Sequence, residues 1–166
     1  MNNISFYIGP RGCGKSLFAE KELSTIDRKL YIGTLPNTLQ YRTTIEAHQT
    51  RRGPNWTTIE TSSSLDHDIE KMISSIKNDD SLQACLLDGL LTWFIHLTAS
   101  PEEIAPDHFT SQIIRLISSK EMIWRIVDVA PEIFYGTTDK WELYSQIHHD
   151  IIMRFAIKNI KNWNYE

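Results

Sequence analysis

Gly9-Pro10-Arg11-Gly12-Cys13-Gly14-Lys15-Ser16 decides how this chain is read. A short apolar run, Ile4-Ser5-Phe6-Tyr7-Ile8, precedes it, and Leu17-Phe18-Ala19-Glu20 follows as the start of a helix. Strand, G-x-x-x-x-G-K-S and helix, in that order, are the context of a phosphate-binding P-loop. Glycines let the backbone curl until consecutive N–H groups converge on one phosphate chain. The open N–H groups and positive dipole end of the helix face the same point. On this reading Gly9, Pro10, Arg11, Gly12, Cys13 and Gly14 form a nucleotide cradle, Lys15 reaches the outer phosphates, and the Ser16 hydroxyl holds Mg²⁺. The bland alternative is a glycine-rich turn with a chance Lys-Ser; filled motif positions and both flanks weigh against it.

Composition narrows the rest. The 166 residues suffice for one domain with a real core, so residues 1–166 are read as a single nucleotide-binding domain. The net charge is −4, and no dense basic stretch exists beyond Arg51-Arg52, which argues against a nucleic-acid partner. Cys13 and Cys85 lie far apart and make neither a metal motif nor a disulfide framework, which suits a reducing, cytoplasmic setting. Met1-Asn2-Asn3 has no positive charge, the first apolar run is too short for a signal peptide, and no run approaches the length of a membrane span.

Strand and helix patterns alternate along the chain. Lys29–Thr34 reads as a strand, a polar helix runs from about Thr38 to His48, and Arg51-Arg52-Gly53-Pro54-Asn55 breaks it. Trp56–Glu60 alternates as a strand. Ser62-Ser63-Ser64 offers a cap for a helix carrying Leu65, Ile69, Met72, Ile73 and Ile76, which Asn78-Asp79-Asp80 ends. Ala84–Leu87 has the continuous apolar look of a buried parallel strand and ends in Asp88. An apolar helix follows from Leu90 to Leu97, and Ser100-Pro101 opens a loop. Phe109, Ile113, Ile114 and Ile117 mark another helix, and Met122–Val129 a strand. A loop from Ala130 to Gly136 leads to a last helix, capped by Asp139 and carrying Leu143, Tyr144, Ile147, Ile151 and Phe155. Repeated β-then-α units predict a three-layer α/β fold of the P-loop type, its mostly parallel sheet covered by helices on both faces. Ligands then gather beyond the C-terminal strand ends.

Asp88 stands at such an end. An acid there commonly serves Mg²⁺ or its waters; as plain structure it would cap the helix after Gly89. Asp128 ends another strand in the same way, and both readings stand. His48 is followed by Arg51 and Arg52. A lone histidine is ordinarily a surface or satisfied core group, yet a neutral imidazole is a competent nucleophile toward phosphorus. Neighbouring guanidiniums would grip phosphate oxygens and keep the ring neutral near pH 7. His148-His149-Asp150 looks like a metal triplet, but adjacent helical residues face different ways, so a solvated face is the expectation. Trp93, Phe94 and Trp141 read as core.

Four blocks taken together carry a resemblance. They are the P-loop with Phe18-Ala19-Glu20; Tyr31-Ile32-Gly33-Thr34; Ile45, His48, Arg52, Trp56, Thr58 and Glu60 at their mutual spacing; and Leu86-Leu87-Asp88-Gly89-Leu90-Leu91-Thr92-Trp93. In these the chain resembles the adenosylcobinamide kinase / adenosylcobinamide-phosphate guanylyltransferase family of cobalamin biosynthesis. The resemblance implies two steps using GTP, ATP or both with Mg²⁺. A nucleotide phosphorylates the aminopropanol hydroxyl of a cobinamide-like acceptor; a histidine then takes GMP from GTP and passes it to the new phosphate. His48 matches the guanylylated histidine, Arg52 the arginine four residues beyond, and Gly33 and Thr34 the turn that approaches the nucleotide. Members assemble as oligomers, so the resemblance admits a homo-oligomer.

The chain also departs from the family pattern. The family's P-loop arginine falls at Gly12, Thr38 and Gln40 replace an acidic pair, and Thr44 replaces an arginine. Gly53 stands for a proline, the asparagine after the tryptophan block falls at His96, and Val127–Ala130 replaces a turn motif. Tyr144–Arg154 lacks the family's helix motifs, and the chain stops near Asn162–Glu166 where members continue into a final strand. Two alternatives therefore stay open: a P-loop small-molecule kinase, and a nucleotide-binding relative without transferase activity.

Overall fold

The computed structural model describes residues 3–35, 41–62, 64–98, 104–131 and 140–163. In its first strand, β1 (Asn3–Gly9), alternation divides the side chains between two layers: Ile4 and Phe6 join one apolar cluster, Tyr7 the other. The same division recurs in β2 (Lys29–Gly33), where Leu30 and Ile32 oppose Tyr31, and in β4 (Ala84–Asp88), where Cys85 and Leu87 oppose Ala84 and Leu86. With both faces covered, these strands read as unbroken apolar runs. The larger cluster packs under α3 (Leu65–Lys77), α4 (Leu90–Thr98), α5 (Pro106–Ile117) and α6 (Trp141–Arg154). The smaller one holds Ala19 and Leu23 from α1 (Lys15–Glu22) and the turn after it. The predicted layers are therefore present.

The sheet runs β3-β2-β4-β5-β1-β6, with β3 (Trp56–Glu60), β5 (Ile123–Val129) and β6 (Asn159–Asn162), and every pairing is parallel. Register aligns Gly9 with Val129, and Gly33 with both Glu60 and Asp88. The C-terminal strand ends thus share one edge, with the glycine-rich loop among them.

Local differences from the sequence reading have physical causes. The polar helix α2 (Arg42–Arg52) runs through Arg51 and Arg52 instead of breaking there, because both guanidiniums find partners on the body; Gly53, at φ 79°, ends it. The expected start of that helix at Thr38, like Gln40, lies outside the described residues, as do Ser63, Ser100, Pro101, residues 132–136 and Asp139. Ser64 does precede α3, but the turn is tied by Asp68, whose carboxylate accepts from the Ser62 N–H and hydroxyl, each at 2.7 Å. β6 is an addition: a short, wholly exposed strand, Asn159-Ile160-Lys161-Asn162, beside β1 where the sequence reading places no strand.

The expectation of a solvated histidine face fails for His148, which is buried. Its Nε2 lies 2.5 Å from Asp128 Oδ2, and its ring meets Phe6 edge-on. Asp128 also accepts from the Leu91 N–H at 2.9 and 3.0 Å and from the Val129 N–H at 2.9 Å. Of its two readings, the structure realises the capping one: a buried anion at the start of α4, held from α6. Trp93 and Phe94 are core, as read, while Trp141 is half-buried.

Candidate active site

The loop between β1 and α1 has the curl that its glycines permit: Gly12 and Gly14 sit at φ 74° and 88°, in the left-handed region. Gly14 is the N-cap of α1 and makes no side-chain cap, and the first turn carries no acid. The opening N–H groups of α1 therefore point outward without a competing anion. Lys15 is buried, and its Nζ donates to the Pro10 carbonyl at 2.8 Å, bridging the loop.

Asp88 sits across from the loop at the end of β4. Its Oδ1 accepts from the Ser16 hydroxyl at 3.1 Å and its Oδ2 from the Tyr31 hydroxyl at 2.6 Å. Burial pushes its carboxyl above the usual range, against the pull of those two hydroxyls and of His48 and Lys15. The Tyr31 hydroxyl is pushed far up by burial and by the Asp88 charge, so it stays a donor. Behind Asp88, the Thr34 hydroxyl bridges the carbonyls of Asp88 and Gly89 at 2.9 and 2.7 Å. A Cβ on Gly89, which has φ 102°, would stand 2.4 Å from that hydroxyl.

These groups open onto a cavity of about 220 Å³. Arg11, Gly12, Lys15 and Ser16 form one wall, Gly33, Thr34 and Asp88 the floor, and Ile45, His48 and Arg52 of α2 the facing wall. His48 is shifted down, first by burial and then by the Arg51 charge, while Asp88 and Glu20 pull the other way. A neutral imidazole at pH 7 is the result. The Arg52 guanidinium lies 3.4 Å from the Tyr31 ring centroid, with only 2 % of its side chain exposed. Its Nε and Nη1 have no hydrogen-bond partner among the described residues, and Nη1 is 3.9 Å from Glu20 Oε1. Buried open donors on a cation suit an anion such as phosphate.

Arg51 goes elsewhere. Its Nε and Nη2 donate to Glu20 Oε2 and Oε1 at 3.0 and 2.8 Å, and it does not line the cavity. Gly9, Pro10, Cys13 and Gly14 shape the loop from behind without lining the cavity themselves. Sequence reasoning had not singled out Glu20, Tyr31, Glu60 or Thr92 as site groups. Tyr31 is legible by alternation, since it points to the same sheet face as α1; Glu20 stands in the first resemblance block, but nothing local pairs it with Arg51.

A hydroxyl and a carboxylate 3.1 Å apart, Ser16 and Asp88, form the hard-oxygen pair that suits Mg²⁺. Among the described residues no group of three or more His, Cys, Asp or Glu could cage a metal.

The family model for cobinamide kinase / cobinamide phosphate guanyltransferase matches residues 5–156. The chain belongs to this family. The family's description names kinase and guanyltransferase activities on cobinamide and its phosphate. No curated protein matches the chain in sequence. A solved structure of a DnaB-like replicative helicase and its interactions with primase matches 84% of this family member, with TM-score 0.49 and 11% identity. The chain spans 42% of the length of that helicase chain. No helix among the described residues is long and apolar enough to cross a membrane.

Proposed function

We propose that this chain phosphorylates a cobinamide-like acceptor and then guanylylates the product through a GMP–His48 intermediate, both within one nucleotide-binding domain. One observation carries the reading: Lys15 and Ser16 of α1, Asp88 of β4, and His48 and Arg52 of α2 face one cavity. A P-loop alone supports phosphate binding; a neutral imidazole on the opposite wall adds a nucleophile.

In the first step the acceptor hydroxyl attacks the γ-phosphorus of ATP or GTP, and the nucleoside diphosphate leaves with the bond's electron pair. The α1 N–H groups and Lys15 hold the phosphates in line and offset their charge. In the second step the unprotonated ring nitrogen of His48 attacks the α-phosphorus of GTP. A P–N bond forms and pyrophosphate departs. A phosphate oxygen of the acceptor then attacks the same phosphorus, the P–N bond breaks, and the imidazole is restored. Arg52 steadies the non-bridging oxygens through its open N–H groups. Mg²⁺, held by Ser16 and Asp88, would supply charge neutralisation for the outer phosphates.

Intact-mass spectrometry after incubation with GTP and Mg²⁺, beside His48→Ala, tests this. A GMP-sized adduct that requires His48 and is lost in acid is expected. No adduct with GTP binding retained would refute guanylylation and leave the P-loop kinase.

A further inference from the structure

The helix that carries His48 is held to the body in an unusual way. No apolar residue of α2 is buried, so apolar packing does little to fix it. Its side-chain ties among the described residues are polar: Gln49 to Glu60 at 3.0 Å, Arg52 on the Tyr31 ring and 3.9 Å from Glu20, and the two-pronged bond from Arg51 to Glu20. Only the last is a charge-assisted fork, the geometry that fixes orientation as well as distance. Its partner is on α1. Glu20 stands four residues after Ser16, and Arg51 three after His48, so each lies one turn below a site residue on the same helix face. Glu20 is buried, and neither Glu20 nor Arg51 lines the cavity.

We infer that Glu20 is a positioning residue: through its fork to Arg51 it ties α2 to α1 and so sets where His48 stands relative to Lys15 and Ser16. This rests on the guanylylation reading above and deepens it. Arg51 then acts through Glu20 and His48 without touching nucleotide. The fork also links the helix that receives phosphate to the helix that attacks it, one turn behind the reacting groups.

The same pair tunes the imidazole. From its own helix His48 meets the charges of Arg51 and Arg52, and from α1 those of Lys15 and Glu20. Asp88 from β4, Glu60 from β3 and Arg11 from the loop complete its surroundings. Arg51 disfavours the protonated ring and Glu20 favours it, so removing one or the other moves His48 in opposite directions.

Three variants test the inference: Glu20→Gln, Arg51→Met and Arg51→Lys. Each is measured for rate of GMP-adduct formation, GTP affinity, pH profile and amide exchange in α2. All three are expected to slow adduct formation roughly 10- to 100-fold, the cost of a nucleophile displaced by about an ångström. GTP affinity should stay within about threefold in the two Arg51 variants, since Arg51 does not line the cavity. The acid limb should move up in Arg51→Met, down in Glu20→Gln, and stay in Arg51→Lys, which keeps the charge but not the fork. Adduct rates within about twofold of the parent, or GTP affinity falling in step with rate, would overturn the inference. If the parent forms no adduct, guanylylation itself fails, and the fork is judged by two other readouts. Opposite shifts in an NMR titration of His48 with faster α2 exchange uphold it; an unmoved titration and unchanged exchange overturn it.

Discussion

Replacing Asp128 by alanine should be among the most damaging changes in this chain, though Asp128 does not line the cavity. Its carboxylate, 1 % exposed as a residue, serves three partners at once: the N–H of Leu91 at the start of α4 by both oxygens, the Val129 N–H, and His148 Nε2. Asp128→Ala leaves a buried imidazole and two backbone donors without their acceptor. Each buried donor left without its acceptor costs about 1–3 kcal/mol, so three of them, with some relaxation of the pocket, cost about 3–5 kcal/mol. For a chain of this size each kcal/mol lowers Tm by roughly 2–4 °C, so a fall of roughly 6–20 °C is expected. Asp128→Asn, which keeps one acceptor oxygen in place, should lose about half as much. Urea and thermal unfolding of both variants, with His148→Ala and the double variant, close a cycle whose coupling should reach about 1–3 kcal/mol. A loss under about 1 kcal/mol for Asp128→Ala would show that the pocket relaxes or hydrates, and the capping account would be wrong.

Three further outcomes follow from the site. Lys15→Ala removes a charge-assisted contact worth about 1.5–3 kcal/mol, so calorimetry should find nucleotide bound roughly 10- to 150-fold more weakly; unchanged affinity would refute the cradle. Gly89→Ala combines a left-handed backbone with a Cβ placed 2.4 Å from Thr34 Oγ1, and denaturant unfolding should show a loss of about 2–4 kcal/mol. Because burial and Arg51 lower His48, its ring stays neutral as pH falls to the ordinary histidine value of about 6.5 and protonates only below it. The kcat/KM profile for GMP transfer should therefore have its acid limb below about 6.5; a limb above that value contradicts the electrostatics.

Where a segment's environment is written in its own residues, the sequence was enough. β3 and β4 begin and end at the residues that alternation and the apolar run indicate, Trp56–Glu60 and Ala84–Asp88. The glycine-rich loop and Asp88 were legible because motif and strand end are local features. His48 and Arg52 were legible through their spacing, and both do reach the cavity. What stayed hidden depends on partners far along the chain. Arg51 and Arg52 are adjacent cations, and nothing local says that one turns to Glu20 and the other to Tyr31. His148 looked solvated because its partner, Asp128, is twenty residues away and both must be buried together to be satisfied. β6 escaped because a polar, exposed four-residue strand has no periodic signature; only the open edge of β1 makes it one.

The place of β1 in the sheet has a consequence for how the protein comes off the ribosome. β1 is made before the other five strands of the sheet, yet among the described residues its partners are β5 and β6, and about 120 residues separate it from its β5 partners. At roughly 5–20 residues per second, it waits roughly 6–24 s after synthesis for a neighbour. β2, β3 and β4 can meanwhile pair with one another, since their register needs nothing beyond Asp88. The nascent chain thus carries an apolar segment, Ile4-Ser5-Phe6-Tyr7-Ile8, with both edges open. Synonymous codon changes that slow translation between residues 88 and 123 should lengthen that exposure and increase aggregation, with no effect on the finished fold.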